Sequence, residues 1–286
     1  MTVAPPLLEM LGIAKAFPGV QALDGVDFVV GAGEVHALVG ENGAGKSTLV
    51  KILTGVYPRA RGEIRLRGRP REIRDPLDAR RHGIRIIHQE FTLVPQLSVA
   101  ENVFLDSLAT GVMGPVPYRR MQTHTRQILV SLGVSLDPRP PVGERTGAEQ
   151  QSVAIARALT GEACLVIMDE PTAALTGAEV ERLFAIVRSL KARGVAVVYI
   201  SHKLDEIMAR ADRVTVLRDG HVVGVRPTRE LTREELVRMM VGRPVDQLYS
   251  RRHRPSDEVV LEVRDLVVPG RVHGVSLYAR RGEVLG

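Results

Sequence analysis

Short apolar runs, bounded by glycine, proline and charged residues, alternate along the chain with longer amphipathic stretches. The runs predict strands over residues 7–13, 26–30, 35–39, 63–66, 84–87, 164–168, 195–200, 213–218 and 221–225. The clearest helix is predicted over 177–192, because apolar residues recur there at helical spacing and Gly194 follows as a stop signal. Strands that alternate with helices indicate an α/β fold with a largely parallel sheet.

Three local features refine this picture. Between about residues 90 and 160, prolines punctuate helical sequence without a clear strand, which predicts a helical subdomain inserted into the sheet domain. Asp219-Gly220, between two apolar runs, predicts a two-residue hairpin turn. After Met240 the sequence turns polar and basic, and we place a linker at 243–257.

The start of the sequence recurs near its end. Leu8-Glu9 returns as Leu261-Glu262, and the segments at 25–28 and 33–35 return at 274–277 and 282–284. We therefore expect one complete unit over 1–242 and the opening strands of a second, truncated copy over 258–286.

The composition is that of a folded domain. Of 286 residues, 44% are hydrophobic and 25% are charged. Cys164 is the sole cysteine, which excludes an internal disulfide framework. No apolar run reaches the roughly 18 residues of a membrane span, and the first residues predict no secretory signal. These features favour a cytoplasmic protein.

Basic residues exceed acidic ones by six. The segment 59–85, with ten arginines and four acids, accounts for that surplus. A nucleic-acid patch is one interpretation. A solvated arginine-rich surface is the other, and it is favoured because almost no aromatic residue is interleaved there for base stacking.

A glycine-rich segment carries the strongest chemical signal. Residues 40–47 read Gly-Glu-Asn-Gly-Ala-Gly-Lys-Ser and fit the phosphate-binding loop pattern, between a predicted strand and a helix. The glycines let successive backbone N–H groups converge on phosphate oxygens, and the following helix N-terminus adds favourable potential. We expect Lys46 to contact the terminal phosphates and Ser47 to offer its hydroxyl to Mg²⁺.

Polar residues at the ends of three other predicted strands fit the same chemistry. Asp169 and Glu170 follow a buried strand, so that Asp169 can hold Mg²⁺ through water while Glu170 orients the attacking water or serves as its general base. His202 follows the next strand, where we expect a contact to the γ-phosphate. Gln89 follows an earlier strand and is placed for Mg²⁺ and the attacking water.

In this order, the loop, Gln89, the acid pair and His202 resemble the motifs of an ABC transporter ATPase. The chain is most similar to the tandem-cassette ATPases of bacterial monosaccharide importers, through the segments at 17–26, 170–176 and 199–207 and through Met-Val-Gly-Arg-Pro near the linker. The resemblance covers nearly the whole chain. It implies an α/β P-loop NTPase core with a mixed sheet, an antiparallel β subdomain and an inserted helical subdomain.

The resemblance also implies a set of site residues. Phe17 would stack on the adenine of ATP, and the phosphates would lie against Gly40, Glu41, Asn42, Gly43, Ala44, Gly45, Lys46, Ser47 and Thr48. Mg²⁺ would be held by Ser47, Gln89 and Asp169. Hydrolysis would depend on Glu170, His202 and Gln89.

The partners follow from the same resemblance. The segment Gln89–Phe104 would meet a membrane-spanning permease subunit on the cytoplasmic side of the membrane. A second ABC cassette, either the missing half or a dimer mate, would face the first, and a sugar-binding protein would act indirectly. No nucleic acid is expected as a partner.

One motif departs from the family. Where relatives place a Leu-Ser-Gly-Gly-Gln signature that clamps the γ-phosphate on the opposite cassette, residues 145–149 read Arg-Thr-Gly-Ala-Glu. Arg145 replaces an apolar anchor, and Glu149 adds negative charge beside phosphate oxygens, so we expect this half-signature to work poorly. The competent site would join the loop, Glu170 and His202 to a signature on a second cassette. The chain alone would then bind Mg-ATP but hydrolyse it slowly.

These inferences lead to one functional hypothesis and two alternatives. The first is an ATP-hydrolysing subunit that energises a membrane importer for a simple sugar. The second is a soluble ABC-type ATPase that acts on the ribosome or on nucleic acid, which would use the arginine cluster. The third is a nucleotide-binding fragment without efficient hydrolysis.

Overall fold

The computed structural model describes residues 6–87, 93–108, 117–173, 175–242, 256–283 and 285. The chain divides into two compact units, Met1–Gly242 and Arg243–Gly286. No helix among the described residues is long and apolar enough to cross a membrane.

An antiparallel sheet of four strands forms one part of the first unit. Its strands are β1 (Leu8–Phe17), β2 (Val20–Val30), β4 (Arg61–Leu66) and β5 (Arg69–Pro70). Their order across the sheet is β2-β1-β4-β5. This sheet is the antiparallel β subdomain that the resemblance implied.

A mixed sheet of six strands forms the centre of the first unit. Its strands are β3 (Val35–Val39), β6 (Ile84–Ile87), β7 (Leu165–Asp169), β8 (Ala196–Ile200), β9 (Arg213–Arg218) and β10 (His221–Pro227). They lie in the order β10-β9-β3-β8-β7-β6, and every pairing is parallel except that of β9 with β10. The Asp219-Gly220 turn joins β9 to β10 with φ values of 50° and 77°, as a two-residue hairpin requires.

Eight helices are described in this unit. They are α1 (Lys46–Leu53), α2 (Pro76–Arg81), α3 (Val99–Leu108), α4 (Tyr118–Ser131), α5 (Gly147–Ala158), α6 (Gly177–Ala192), α7 (Leu204–Arg210) and α8 (Arg233–Val241). Helices α3, α4 and α5 pack against one another and form the predicted helical subdomain. Helix α6 has the predicted bounds, because Thr176 and Glu179 make a capping box at its start and Gly194 follows its end with a φ of 78°.

The six-stranded sheet has apolar layers on both faces. Along β7, Val166 and Met168 join the core shared with α5 and α6, whereas Leu165 and Ile167 join the core shared with α1 and the antiparallel sheet. Successive side chains of a strand point to opposite faces, so a strand covered on both sides reads as a continuous apolar run. This is why the central strands are visible in the sequence. The carboxyl ends of β3, β7 and β8 meet at one edge of the sheet, where the site is found.

The second unit contains an antiparallel hairpin of β11 (Val259–Val268) and β12 (Val272–Arg280). It repeats the β1–β2 pair in local detail. The Gly12 N–H donates to Asp27 Oδ1 at 2.6 Å, and at the equivalent place the Asp265 N–H donates to Ser276 Oγ at 2.8 Å. The two hairpins therefore share a backbone-to-side-chain hydrogen bond at equivalent positions, as well as the repeated sequence.

Candidate functional site

The glycine-rich loop follows β3, whose five residues are all buried. At Gly40 the φ is 153°, and a Cβ atom would lie 2.2 Å from the Leu217 carbonyl oxygen. At Gly45 the φ is 106°, and a Cβ atom would lie 2.7 Å from the Ala22 carbonyl oxygen. Both positions therefore require glycine, and the loop is held against β2 and β9 before α1 begins.

Lys46 lies at the first residue of α1 with its amine over the loop. Its Nζ donates hydrogen bonds to the carbonyl oxygens of Gly40 at 2.7 Å and Glu41 at 2.9 Å. Burial lowers the pKa of Lys46, while the carboxylates of Glu170 and Asp169 act to raise it. The amine therefore lies within electrostatic range of both acids, and the fold brings the loop and the acid pair into one site.

The acid pair lies where β7 ends, beside β8. Asp169 is paired with Ile200 in the ladder, and the Glu170 N–H donates to the Ile200 carbonyl oxygen at 2.9 Å. Glu170 has a φ of 46°, which is unusual for a residue with a side chain and marks a strained turn. His202 Nδ1 lies 3.1 Å from Glu170 Oε1, and the exposed fractions of the two side chains are 67% and 30%. The pair is therefore preorganised and open to water.

The oxygen donors at this edge suit Mg²⁺. Ser47 is exposed one residue after Lys46, and Asp169 is partly buried at the end of β7. The described residues contain no cluster of three His, Cys, Asp or Glu that could hold a metal ion by itself. A hydroxyl and a carboxylate leave positions for phosphate oxygens and water, which is the ordinary manner of Mg²⁺ binding beside nucleotides. Gln89, the third predicted ligand, lies outside the described residues.

Phe17 ends β1 with 37% of its surface exposed. Its ring makes an edge-to-face contact with Tyr57, with the centroids 5.3 Å apart, and Lys15 Nζ lies 5.3 Å from the Phe17 centroid. Stacking of Phe17 on adenine stays a prediction. Sequence reasoning did not single out Tyr57, because an isolated Tyr before a proline carries no motif.

A buried hydrogen-bond network supports the segment that follows Glu170. Glu206 Oε2 accepts from the Tyr199 hydroxyl at 2.6 Å and from Thr172 Oγ1 at 2.8 Å. Lys203 Nζ donates to the Thr172 carbonyl oxygen at 2.8 Å. Burial raises the pKa of Tyr199, as does its hydrogen bond to Glu206, so the phenol stays protonated. Tyr199 lies inside an apolar run, so no sequence signal marked this role.

Residues 145–149, which differ from the family's signature, lie at the start of α5. Thr146 is the N-cap, and its N–H and its Oγ1 donate to Glu149 Oε2 at 2.9 and 3.1 Å. Glu149 thus has a local capping role in addition to the negative charge noted in the sequence. Arg145 lies 3.6 Å from Glu144, and its buried Nε has no hydrogen-bond partner among the described residues.

Comparisons with known proteins show which family the chain resembles. The sequence model of the ABC transporter family matches residues 23–173. "Ribose import ATP-binding protein RbsA 1" of Rubrobacter xylanophilus is 54% identical over 98% of this chain and 56% of its own length. "Ribose import ATP-binding protein RbsA 2" of the same organism is 51% identical over 98% of this chain and 54% of its own length. The chain thus spans a little more than half the length of these relatives.

A solved structure has the same fold. The ADP conformation of MJ1267, an ATP-binding cassette of an ABC transporter, superposes with a TM-score of 0.73 at 27% identity and covers 85% of this chain and 98% of its own. The family match includes the loop, the signature segment and the acid pair. The chain therefore belongs to the ABC transporter family.

Proposed function

We propose that this chain is the ATP-binding and ATP-hydrolysing part of an importer for a simple sugar of the ribose class. It binds the cytoplasmic side of a membrane-spanning permease subunit and works with a second ABC cassette, and a sugar-binding protein delivers the substrate. The sequence identity to two proteins named for ribose import supports the substrate class.

The observation that carries the proposal is the placement of Glu170. Its carboxylate lies 3.1 Å from the His202 ring at the carboxyl edge of the sheet, and it influences the pKa of Lys46 in the glycine-rich loop. A nucleotide whose phosphates lie in the loop would present its terminal phosphate to this pair. Parallel sheets collect their ligands at this edge.

The residues divide the work of hydrolysis. Lys46 and the loop N–H groups bind the phosphates, and Glu170 holds a water molecule and takes its proton as the oxygen attacks the γ-phosphorus. The bond from the γ-phosphorus to the bridging oxygen breaks, and ADP and phosphate result. Ser47 and Asp169, with Gln89, would hold Mg²⁺, which neutralises charge on the β- and γ-phosphates when bound. His202 orients Glu170 through their 3.1 Å contact and would contact the γ-phosphate of bound ATP.

Glu170→Gln tests the proposed step. We expect this variant to bind ATP in the presence of magnesium with little loss, and to release phosphate at least about 100-fold more slowly, because the amide cannot accept the water proton. Isothermal titration calorimetry and a phosphate-release assay measure the two properties. Glu230→Gln, at the exposed end of the short 3₁₀ helix Thr228–Glu230, is the matched control. An unchanged rate in Glu170→Gln would mean that a contaminating ATPase, and not this chain, releases the phosphate.

The transport assignment has its own test. Co-expression with a sugar-importer permease subunit should retain the chain on membranes, and a high-salt wash should leave it bound. Co-sedimentation with ribosomes in place of membranes would reject the importer assignment while leaving the ATPase chemistry intact.

A further inference from the structure

A cavity of about 490 Å³ lies at the edge of the six-stranded sheet opposite the glycine-rich loop. We call it the basic cavity. Its lining includes Arg67, Arg69, Arg71, Arg81, His82 and Cys164. Cys164 immediately precedes β7, whereas Asp169 ends it, so the five residues of β7 separate the two sites. At about 3.3 Å per residue, that strand spans roughly 16 Å.

The arginines of the basic cavity differ from their neighbours in the same segment. Arg65 pairs with Glu63 and Arg74 pairs with Glu72, each at 2.9 Å. The four cavity arginines have no carboxylate partner in the part of the chain that the structure describes. Among the described residues that line the basic cavity, Glu162 is the single acidic one. The basic cavity therefore has, among the described residues, more guanidinium groups than carboxylates, and Arg67, Arg69 and Arg81 are exposed to solvent.

Arg67 lies at a tight turn beside the basic cavity. Arg67 and Gly68 form the turn between β4 and β5 with φ values of 52° and 70°, a geometry that favours asparagine or glycine. The Arg67 N–H is fixed by a 2.8 Å hydrogen bond to the Leu7 carbonyl oxygen. An arginine at such a turn has a conformational cost, and here it adds a charge to the cavity.

We propose that the basic cavity binds a small phosphate ester, at a site separate from the glycine-rich loop. Guanidinium groups match phosphate oxygens bidentately, and several that line one cavity favour a multiply charged anion. The volume lies in the range of small-molecule sites. The described lining residues include no Phe, Tyr or Trp on which a base could stack, which favours a compact ester over a single-stranded nucleic acid.

Cys164 makes the proposal directly testable, because it is the chain's sole cysteine and lines the basic cavity. Alkylation of the intact chain by iodoacetamide is followed by mass spectrometry at constant ionic strength. The probes are a hexose phosphate, inorganic phosphate, free hexose and a short single-stranded oligonucleotide. We expect the hexose phosphate to slow labelling about tenfold when present at about ten times its Kd, and free hexose to have no effect. Inorganic phosphate should protect only at higher concentration.

Variants separate the basic cavity from other anion sites. The double variant Arg67→Gln/Arg69→Gln should lose the protection, whereas Arg74→Gln, from the same segment but ion-paired, should retain it. Glu162→Gln removes the opposing charge and should strengthen protection, which a merely unfolded variant could not do. Lys46→Ala should leave protection unchanged, because the loop lies at the other edge of the sheet.

Three outcomes would overturn the proposal. Labelling that no phosphate probe slows would remove the site. Protection by inorganic phosphate equal to that by the hexose phosphate would reject an ester as ligand. Protection by the oligonucleotide alone would assign the basic cavity to nucleic acid instead.

Discussion

Glu149 has a structural role at the start of α5, where it forms a capping box with Thr146. Its carboxylate accepts from both the N–H and the hydroxyl of Thr146. The Thr146 hydroxyl, to which the family resemblance assigns a contact with a nucleotide on a facing cassette, is thus hydrogen-bonded within its own chain. The weak activity of this half-signature stays a prediction, and the contact is one physical reason to expect it.

The strength of this cap can be measured. Thr146→Ala should lower the free energy of unfolding by about 1 kcal/mol, because the N-cap is lost. Glu149→Gln should cost less, because an amide oxygen still accepts from the N–H. Urea unfolding of both single variants and the double variant measures the coupling, and we expect the double variant to cost less than the sum. Strictly additive losses would show that the two side chains do not act together.

Tyr199 and Thr172 both donate to Glu206, and Thr172 lies two residues after Glu170, so we expect Tyr199 to help hold the segment that carries Glu170. We expect Tyr199→Phe to lower the free energy of unfolding by about 1 kcal/mol, since a partly buried carboxylate loses a donor. The same variant should lower kcat for ATP with little change in KM, because the segment after Glu170 loses support while the loop is intact. Tyr118→Phe, on an exposed helix start, is the control. A change in KM alone would show that Tyr199 does not help to position the segment that carries Glu170.

At the level of elements, β3 illustrates how a polar residue is accommodated inside the central sheet. His36 is fully buried on this strand, with Nδ1 2.9 Å from Glu34 Oε1 and Nε2 2.7 Å from Thr215 Oγ1. Both contacts are satisfied by a neutral ring that donates from Nδ1 and accepts at Nε2. Burial alone would raise the pKa of Glu34, but the hydrogen bond from His36 and the charge of Arg213 help to hold it at about 2.

This arrangement predicts a loss of stability in mild acid. Burial holds the pKa of His36 below its ordinary value of 6.5, so the unfolded chain takes up a proton that the folded chain resists. The free energy of unfolding should therefore fall as the pH drops below 6.5, and recover at higher pH. Urea unfolding at about pH 7.5 and about pH 5.5 measures the change. His36→Gln cannot titrate and should show a smaller fall; an equal fall would assign the effect to other groups.

The elements that the sequence revealed are those whose environment leaves a simple pattern. Strands buried on both faces, such as β7 and β8, are continuous apolar runs, and α6 is bounded by a capping box and a glycine. Strand β2 begins at Val20, well before the apolar run at 26–30, because its first half alternates and includes polar residues. The two-residue strand β5 is too short to leave a pattern.

In the candidate site, too, some residues could be predicted from the sequence and others could not. Positions that depend on backbone geometry or on a strand end, such as Gly40, Lys46 and Glu170, could be read from a local motif. The contacts that support them are long-range: Tyr199 with Glu206 and Thr172 joins three segments, and the basic cavity gathers side chains on both sides of the helical subdomain in sequence. Spacing along one chain does not encode which distant groups meet.

For the whole molecule, the repeated hairpin is the feature with the widest consequence. The Gly31 N–H donates to Glu34 Oε2 at 2.6 Å, and its counterpart, the Arg280 N–H, donates to Glu283 Oε2 at 2.8 Å. Burial differs sharply between the copies: Leu8 is fully buried, whereas its counterpart Leu261 is 53% exposed. The described hairpin of the second unit therefore repeats the local geometry of β1 and β2, with Leu261 exposed where Leu8 is buried.

Addition of a complete second cassette should raise ATP turnover, because the proposed competent site joins Glu170 and the loop to a signature supplied in trans. We expect a fusion of this chain to the second half of the 54% identical Rubrobacter relative to hydrolyse ATP at least about tenfold faster than the chain alone. Hydrogen-bond donors aimed at developing charge contribute that much or more. The matched control is the same fusion with the small and hydroxyl residues of the added signature replaced. This control fusion should fold as the intact fusion does, but its rate of ATP hydrolysis should stay close to that of the chain alone. Equal rates for the chain alone and the intact fusion would mean that the first unit needs no facing signature, and that the eroded segment at 145–149 is not what limits hydrolysis.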